Sequence, residues 1–210
     1  MLVAFDFDGT LSDSEMTVLL GEEAGVATEI DAITERAMND EISYAESLSE
    51  RAALLDGLRE NGVDAAFDRV ALRDGAADVI AALSSAGHHV AILTGGFERG
   101  VERALEAEDV AVDTVVANRL PIRNGKLTGT VEGPLVEGTK DDALRELAAE
   151  VGVAIADTVA IGDGANDLPM LEVADLAIGY DPKPAVEPHC DVVVESMAEL
   201  RTVLEARGVL

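Results

Sequence analysis

The sequence predicts an α/β protein: a parallel sheet flanked by helices, with a small helical cap inserted after the first strand and a short β-hairpin further on. Three observations carry that prediction. Short apolar runs bounded by Gly, Asp or Asn recur at residues 2–5, 90–93, 115–117, 159–161, 176–178 and 192–194. Helix-length segments rich in Ala and Leu lie between most of them. Residues 14–70 interrupt the alternation and contain no convincing strand.

Each element follows in chain order. Continuous apolar runs of this length read as strands buried on both faces. The intervening helices fall at 74–86, closed by Gly87, at 97–108, at 140–151, closed by Gly152, and at the shorter 168–173. Buried strands alternating with helices give a Rossmann-like parallel sheet, in which ligands bind beyond the carboxyl ends of the strands. Within 14–70 the helical stretches are 15–24, 29–39 and 44–61. Ser43 with Glu46 has the capping-box pattern, and Thr28 with Asp31 a looser version of it. Residues 120–122 and 126–131 flank Asn124-Gly125, a strong two-residue hairpin signal. The domain organisation expected is a discontinuous catalytic core, 1–13 and 71–210, with a helical cap at 14–70 placed over the active edge of the sheet.

Composition narrows the class of function. Of 210 residues, 48% are hydrophobic but only 3% aromatic, with no Trp, so the core must be built from Ala, Val, Leu and Ile. The formal net charge is −27, which repels nucleic acid and anionic membranes, since both demand a basic surface. The acid coat suits a protein that stays soluble in concentrated salt, and a halophilic cytoplasm is the expected setting. Only Lys126, Lys140 and Lys183 are lysines; the other basic residues are arginine. Cys190 is the single cysteine, so no intrachain disulfide can form, and no Cys/His cluster points to zinc. The first residues, MLVAFDFDGTL, lack a basic region before the apolar stretch and do not read as a signal peptide. No apolar run reaches membrane-spanning length. A soluble, cytoplasmic protein is expected.

Four motifs carry chemistry. The first strand runs into Phe5-Asp6-Phe7-Asp8-Gly9-Thr10. Asp6 and Asp8 are two apart, so they point the same way along an extended segment. Converging carboxylates repel unless a cation neutralises them, and Mg²⁺ suits one or two carboxylates plus a phosphate. A second apolar strand runs into Gly162-Asp163-Gly164-Ala165-Asn166-Asp167, with Asp163 and Asp167 able to meet across one turn. In Leu93-Thr94-Gly95-Gly96-Phe97, a hydroxyl at a strand end precedes glycines that open a helix, which makes an anion site. Lys140 stands at the start of a helix, opposed to the helix dipole, which fits better if it faces an anion.

The ordered set Asp-x-Asp, Thr-Gly-Gly, Lys, Gly-Asp-x-x-x-Asp resembles the haloacid dehalogenase-like superfamily of aspartate-nucleophile phosphatases, over nearly the whole chain. Within it the sequence resembles the phosphoserine phosphatase family. Glu15 stands where that family has an acid near the cap, and Tyr44 and Arg51 where it has an aromatic and an arginine on one helix face. Asn118-Arg119-Leu120, Gly125-Lys126-Leu127-Thr128-Gly129 and Gly164-Ala165-Asn166-Asp167-Leu168-Pro169-Met170-Leu171 also look like its segments. Gly9 and Thr94 depart from it, each standing where Ser is usual.

The resemblance implies a two-step displacement in which Asp6 attacks phosphorus and Asp8 serves as acid and then base. It implies Mg²⁺ held by Asp6, Asp163 and the backbone carbonyl of Asp8. It implies a transferring group bound by Thr94, the Gly95 N–H and Lys140, with Asn166 touching phosphate or substrate. Asp167 would orient Lys140 or a water on the metal. For a small phosphate monoester such as phosphoserine, Glu15 suits the ammonium, Arg51 the carboxylate, and Tyr44 would close the pocket. Structural alternatives stand beside these roles: Ser12 and Glu15 form a capping box, Arg51 lies among Glu46 and Glu50 as in a surface ion pair, and Tyr44 could be cap core. At the level of function, the rivals are phosphoryl transfer to another alcohol such as homoserine, a phosphatase for a different small phosphometabolite, and a receiver-like signalling domain. The last has no use for a helical cap or for Asp-x-Asp on the first strand.

Overall fold

The computed structural model describes residues 1–39 and 41–210. Six parallel strands form the central sheet: β1 (Leu2–Phe5), β2 (His89–Phe97), β3 (Thr114–Asn118), β6 (Thr158–Gly162), β7 (Leu176–Tyr180) and β8 (Val192–Val194). Their order is β3-β2-β1-β6-β7-β8. The chain builds outward from β1 in one direction, then returns and builds outward in the other. The order therefore reverses between β1 and β6, and a ligand crevice belongs at that point, beyond the strands' carboxyl ends. Register brings Phe5 level with Ile92 on β2 and Ile161 on β6, so the motifs that follow these strands emerge side by side.

Alternation along the strands fills a layer on each face of the sheet. Val3, Phe5, Ile92, Ile161 and Ile178 join one buried cluster, with side chains of α5 (Ala76–Ser85), α6 (Glu98–Ala107) and α9 (Met197–Ala206). Leu2, Ala4, Ala91 and Leu93 join the other, with Leu144 and Leu147 of α7 (Lys140–Val151) and Met170 and Leu171 of α8 (Leu168–Val173). The core is aliphatic, as the composition requires, and its one aromatic pair is Phe67 and Phe97, with ring centroids 6.4 Å apart among the described residues.

Between β1 and α5 lie α1 (Met16–Ala24), α2 (Ala27–Met38), α3 (Tyr44–Leu54) and α4 (Glu60–Phe67), with no strand there among the described residues. The chain leaves and rejoins the sheet through one seam: Ser12 Oγ donates to the Ala71 carbonyl at 2.7 Å, and Arg73 N–H to Leu11 at 2.8 Å. Arg99 and Arg103 of α6 also pair with Asp64 of α4, at 2.8 and 3.2 Å.

Several boundaries differ from the sequence reading. The helix expected over 44–61 is two helices, α3 and α4, separated by a turn in which Gly57 has φ 81°. That turn is held by the hairpin β4 (Ile122–Arg123) and β5 (Lys126–Leu127): Gly57 N–H donates to Leu127, and Leu127 N–H to Leu58. The hairpin is shorter than expected, but Asn124 and Gly125 both take positive φ, 53° and 73°, as a two-residue turn demands. α2 begins at Ala27, with Thr28 inside it rather than capping it. The Ser43 box forms as expected, with Ser43 Oγ accepting from Glu46 N–H and the Glu46 carboxylate accepting from Ser43 N–H at 2.9 Å. β2 runs on through Thr94-Gly95-Gly96 to Phe97, so those glycines lie in a bulged strand end instead of opening α6. The pairing of Phe97 with Asn118 across that bulge keeps the segment extended. α9 was not expected, and of α4 only the first two residues fall within the expected helix. No helix among the described residues is long and apolar enough to cross a membrane.

Candidate active site

At the crevice between β1 and β6, Asp6 follows β1 directly, and its N–H continues the ladder by donating to Ile161 at 2.8 Å. Its carboxylate is 3% exposed in the residue sense, yet it is not alone. Lys140 Nζ donates to Asp6 Oδ1 and to Asp167 Oδ1, each at 2.5 Å. Lys140 is buried at the first position of α7, whose packed face anchors its backbone. Asp167 Oδ2 accepts from the N–H groups of Asp163 and Gly164, both at 2.9 Å. Asp167 is thus engaged at both oxygens: one holds the lysine, and the other holds the loop that carries Asp163.

The electrostatics follow from that crowding. Burial, then the charge of Asp167, raise the Asp6 carboxyl to about 8, although Lys140 pulls the other way. Burial, then the charges of Glu15 and Asp6, hold the Asp8 carboxyl well above the carboxylate range. Asp8 Oδ1 is buried with no hydrogen-bond partner among the described residues. Burial, then Asp167, raise Asp163 as well. Burial disfavours charge on Lys140, but Asp167 and Asp6 outweigh it and hold its ammonium above the usual lysine value.

The carboxylate oxygens of Asp6, Asp163 and Asp167 lie within 4.8 Å of one another. Three acids with one buried lysine leave excess negative charge, and the unpartnered Asp8 oxygen adds to it. An all-oxygen donor set with surplus charge fits a hard divalent cation. Asp167 is the most heavily bonded of the three, with both oxygens engaged, so Asp6 and Asp163 are the carboxylates with most capacity left for the ion.

Gly9 makes this approach possible. It has φ 91°, in the left-handed region, and a Cβ there would fall 2.5 Å from an Asp163 carboxylate oxygen. This chain's departure at Gly9 therefore suits the loop it builds. Thr94 is buried, and its Oγ1 accepts from Gly96 N–H at 2.9 Å, which folds the bulge at the end of β2. A Cβ on Gly96 would meet Asp8 Oδ2 at 2.8 Å, so the bulge also gives the Asp8 carboxylate its place.

A cleft of about 280 Å³ opens beside these groups, lined by Tyr44, Gly95, Glu137, Lys140 and Asn166 among others. The start of α3, at Ser43, Tyr44 and Ala45, supplies its far side. Tyr44, first in α3, is 39% exposed, yet its hydroxyl lies against Gly95. Burial of that hydroxyl raises its pKa to about 12. Arg51, two turns on, is 8% exposed; it donates to Thr17 Oγ1 at 3.0 Å and to the Ser47 carbonyl at 3.3 Å. No carboxylate lies within ion-pairing distance of it among the described residues.

The family profile of haloacid dehalogenase-like hydrolases matches residues 3–172, which spans all four motifs. The chain belongs to the haloacid dehalogenase-like hydrolase family. It is 57% identical to the phosphoserine phosphatase of Halobacterium salinarum, over 99% of each chain. It is 38% identical to that of Methanocaldococcus jannaschii, over 97% of this chain and 96% of the other. Among solved structures it resembles one described as a phospho-aspartyl intermediate analogue of phosphoserine phosphatase, with TM-score 0.88 and 37% identity, covering 98% and 97% of the two chains. A substrate-bound phosphoserine phosphatase complex is equally similar, at TM-score 0.88 and 36% identity.

On this haloacid dehalogenase-like scaffold, Asp6, Lys140, Asp163 and Asp167 form one buried cluster, with Asp8 and Thr94 beside it. Asn166 lies exposed on the cleft wall. Glu15 is exposed at the N-cap position of α1 but caps nothing with its side chain; the Ser12 hydroxyl is spent on Ala71 and on Ser14 N–H instead. The capping-box alternative for Glu15 is therefore absent. So is the surface-pair alternative for Arg51, because Glu50 pairs with Arg36 at 2.7 Å.

Sequence reasoning passed over several contributors. Thr10 Oγ1 reaches Asp163 Oδ1 at 3.4 Å. Asn118, fully buried, donates to the Gly95 carbonyl at 3.1 Å and accepts from Leu135 N–H at 3.0 Å, tying the β2 bulge to the cleft wall. Arg73 donates to the Gly9 carbonyl at 3.0 Å and lies over the Tyr180 ring at 5.1 Å. Lys183 Nζ stands 3.5 Å from Asp163 Oδ2. Thr10 and Asn118 stand in segments already singled out and Lys183 is marked by the scarcity of lysine, but nothing in the sequence marks Arg73.

Proposed function

We propose that this chain is a magnesium-dependent phosphomonoesterase that hydrolyses O-phospho-L-serine to serine and phosphate through an aspartyl-phosphate on Asp6. The observation that carries this reading is the different partnering of two adjacent buried acids. Asp6 is held by the Lys140 ammonium at the sheet crest, while Asp8 beside it has a buried carboxyl oxygen with no hydrogen-bond partner among the described residues. Environments that separate the roles of two acids mark a nucleophile and a general acid.

An Asp6 carboxylate oxygen attacks phosphorus as the P–O bond to serine breaks, and the leaving oxygen takes the Asp8 proton. Asp8, now a carboxylate, accepts a proton from water, which attacks the aspartyl-phosphate and returns Asp6 and inorganic phosphate. Lys140, Thr94 and the Gly95 N–H stabilise the transferring group, with Asn166 at its edge. Asp167 keeps Lys140 aimed between the acids. The carboxylates of Asp6 and Asp163 and the backbone carbonyl of Asp8 would hold Mg²⁺, which when bound offsets charge between nucleophile and phosphoryl oxygens.

Residues 14–70 act as the cap over the core formed by 1–13 and 71–210. From it, Arg51 grips the substrate carboxylate, Glu15 accepts the ammonium, and Tyr44 closes the pocket. The test is phosphate release from L-phosphoserine in molar KCl, with and without Mg²⁺, beside Asp6→Asn. Magnesium-dependent release that Asp6→Asn abolishes is the expected result. Release from an aryl phosphate but not from phosphoserine would overturn the substrate while keeping the nucleophile.

A further inference from the structure

Two of the chain's three lysines converge on the acid cluster. Lys140 is consumed by Asp6 and Asp167. Lys183 is placed differently. It sits in the loop after β7, between Pro182 and Pro184, and its side chain is about half exposed, at 52%. Its backbone is fixed to the site: Lys183 N–H donates to the Asp163 carbonyl at 3.0 Å, and Val186 N–H returns a bond to the Lys183 carbonyl at 2.8 Å. The ammonium lies 3.5 Å from Asp163 Oδ2, while Asp163 Oδ1 faces the Thr10 hydroxyl. A fixed backbone with a free stem delivers a cation to one carboxylate oxygen and lets it withdraw to solvent.

We propose that Lys183 is the exchangeable counter-cation of the metal site, holding Asp163 in the metal-free protein and withdrawing when a divalent ion takes that carboxylate. This rests on the reading of Asp6 and Asp163 as metal ligands. The residue type fits the role. A compact, strongly hydrated ammonium on a flexible four-carbon stem can leave the carboxylate for solvent. An exposed ion pair ordinarily contributes little. Here the partner carboxylate is mostly buried among Asp6 and Asp167, so the lysine offsets repulsion that solvent screens poorly.

The consequence is a competition between Lys183 and the ion. Removing the ammonium removes both the competitor and a nearby positive charge. Lys183→Gln should bind Mg²⁺ more tightly, by roughly three- to tenfold in Kd, the size expected of one partly screened charge a few ångströms from the ion. Lys183→Arg keeps the charge and should remain within about twofold of the parent. Lys126→Gln, which removes the same charge from the exposed hairpin strand, should leave Kd unchanged.

The experiment is isothermal titration of Mg²⁺ into the metal-free parent and the three variants at one ionic strength, with thermal unfolding of each metal-free protein alongside. Tighter binding by Lys183→Gln alone, with a lower metal-free unfolding midpoint than Lys126→Gln, is the expected result. A Kd equal to that of the parent makes Lys183 an ordinary surface lysine and overturns the inference. So does weaker binding, which would make it part of the scaffold that shapes the site. If the parent binds no Mg²⁺, the metal reading fails first and the inference falls with it.

Discussion

At the scale of single residues, Arg51 is the sharpest case. A guanidinium that is 8% exposed and faces a hydroxyl and a carbonyl, but no carboxylate among the described residues, is held in an unfavourable state by the fold. On the proposed reading, the substrate carboxylate supplies the counter-charge that it lacks. Arg51→Ala should therefore lower kcat/KM for phosphoserine by roughly a hundredfold or more, the cost of losing a buried, charge-assisted contact. Turnover of 4-nitrophenyl phosphate, which carries no carboxylate to grip, should change less than about threefold. Steady-state kinetics on both substrates decide it, and equal losses would overturn the clamp. That Asp6, Asp8, Asp163 and Lys140 come together was legible because strong local patterns announce them: apolar strands running into acids, and a rare lysine opening a helix. Asn118 and Arg73 were not legible. Their work is to hold the carbonyls of Gly95 and Gly9, and nothing near them in sequence marks a bond made 23 or 64 positions away.

At the scale of elements, α3 shows what local signals settle and what they do not. Its start was legible, because Ser43 and Glu46 satisfy each other's backbone donors whatever surrounds them. Its end was not. Leu54, Leu55 and Leu58 continue an apolar pattern that reads as one helix, yet β5 captures the backbone of residues 57 and 58 and Gly57 turns the chain. A partner 70 residues away outcompetes the next helical hydrogen bond. The bulge at Thr94-Gly95-Gly96 has the same cause, since β3 holds it extended when its glycines alone suggest a helix start. Because α3 delivers both Tyr44 and Arg51, its cap has a functional consequence. Ser43→Ala should lower stability by about 1 kcal/mol and raise KM for phosphoserine modestly, with kcat nearly unchanged, while Ser43→Asp should restore both. Urea unfolding and kinetics of the two variants check this. A stability loss without a KM change would mean that α3 holds its side chains in place without help from the cap.

At the scale of the whole molecule, charge sets the conditions under which everything else operates. With 42 acidic residues against 15 basic ones, self-repulsion opposes the compact state at low salt. The surface ion pairs among the described residues, such as Arg99–Asp64 and Arg103–Asp64, engage a minority of the acids. Salt weakens both kinds of interaction, but repulsion has far more members. Screening contracts from about 10 Å at 0.1 M to about 3 Å at 1 M, so the unfolding midpoint should rise steadily as KCl is raised from 0.1 to 2 M. Salt also strengthens apolar burial by mechanisms unrelated to charge, and the two causes need separating. Glu106 and Glu150 are exposed, form no ion pair among the described residues, and lie at the C-terminal ends of α6 and α7, away from the helix starts that face the site. If screening is the cause, Glu106→Lys combined with Glu150→Lys should raise the midpoint at 0.1 M KCl and leave the midpoint at 2 M nearly unchanged, so that the salt-induced gain shrinks. A gain of undiminished size in the double variant would assign the salt effect to apolar burial, and the acidic surface would then have to be explained by solubility alone.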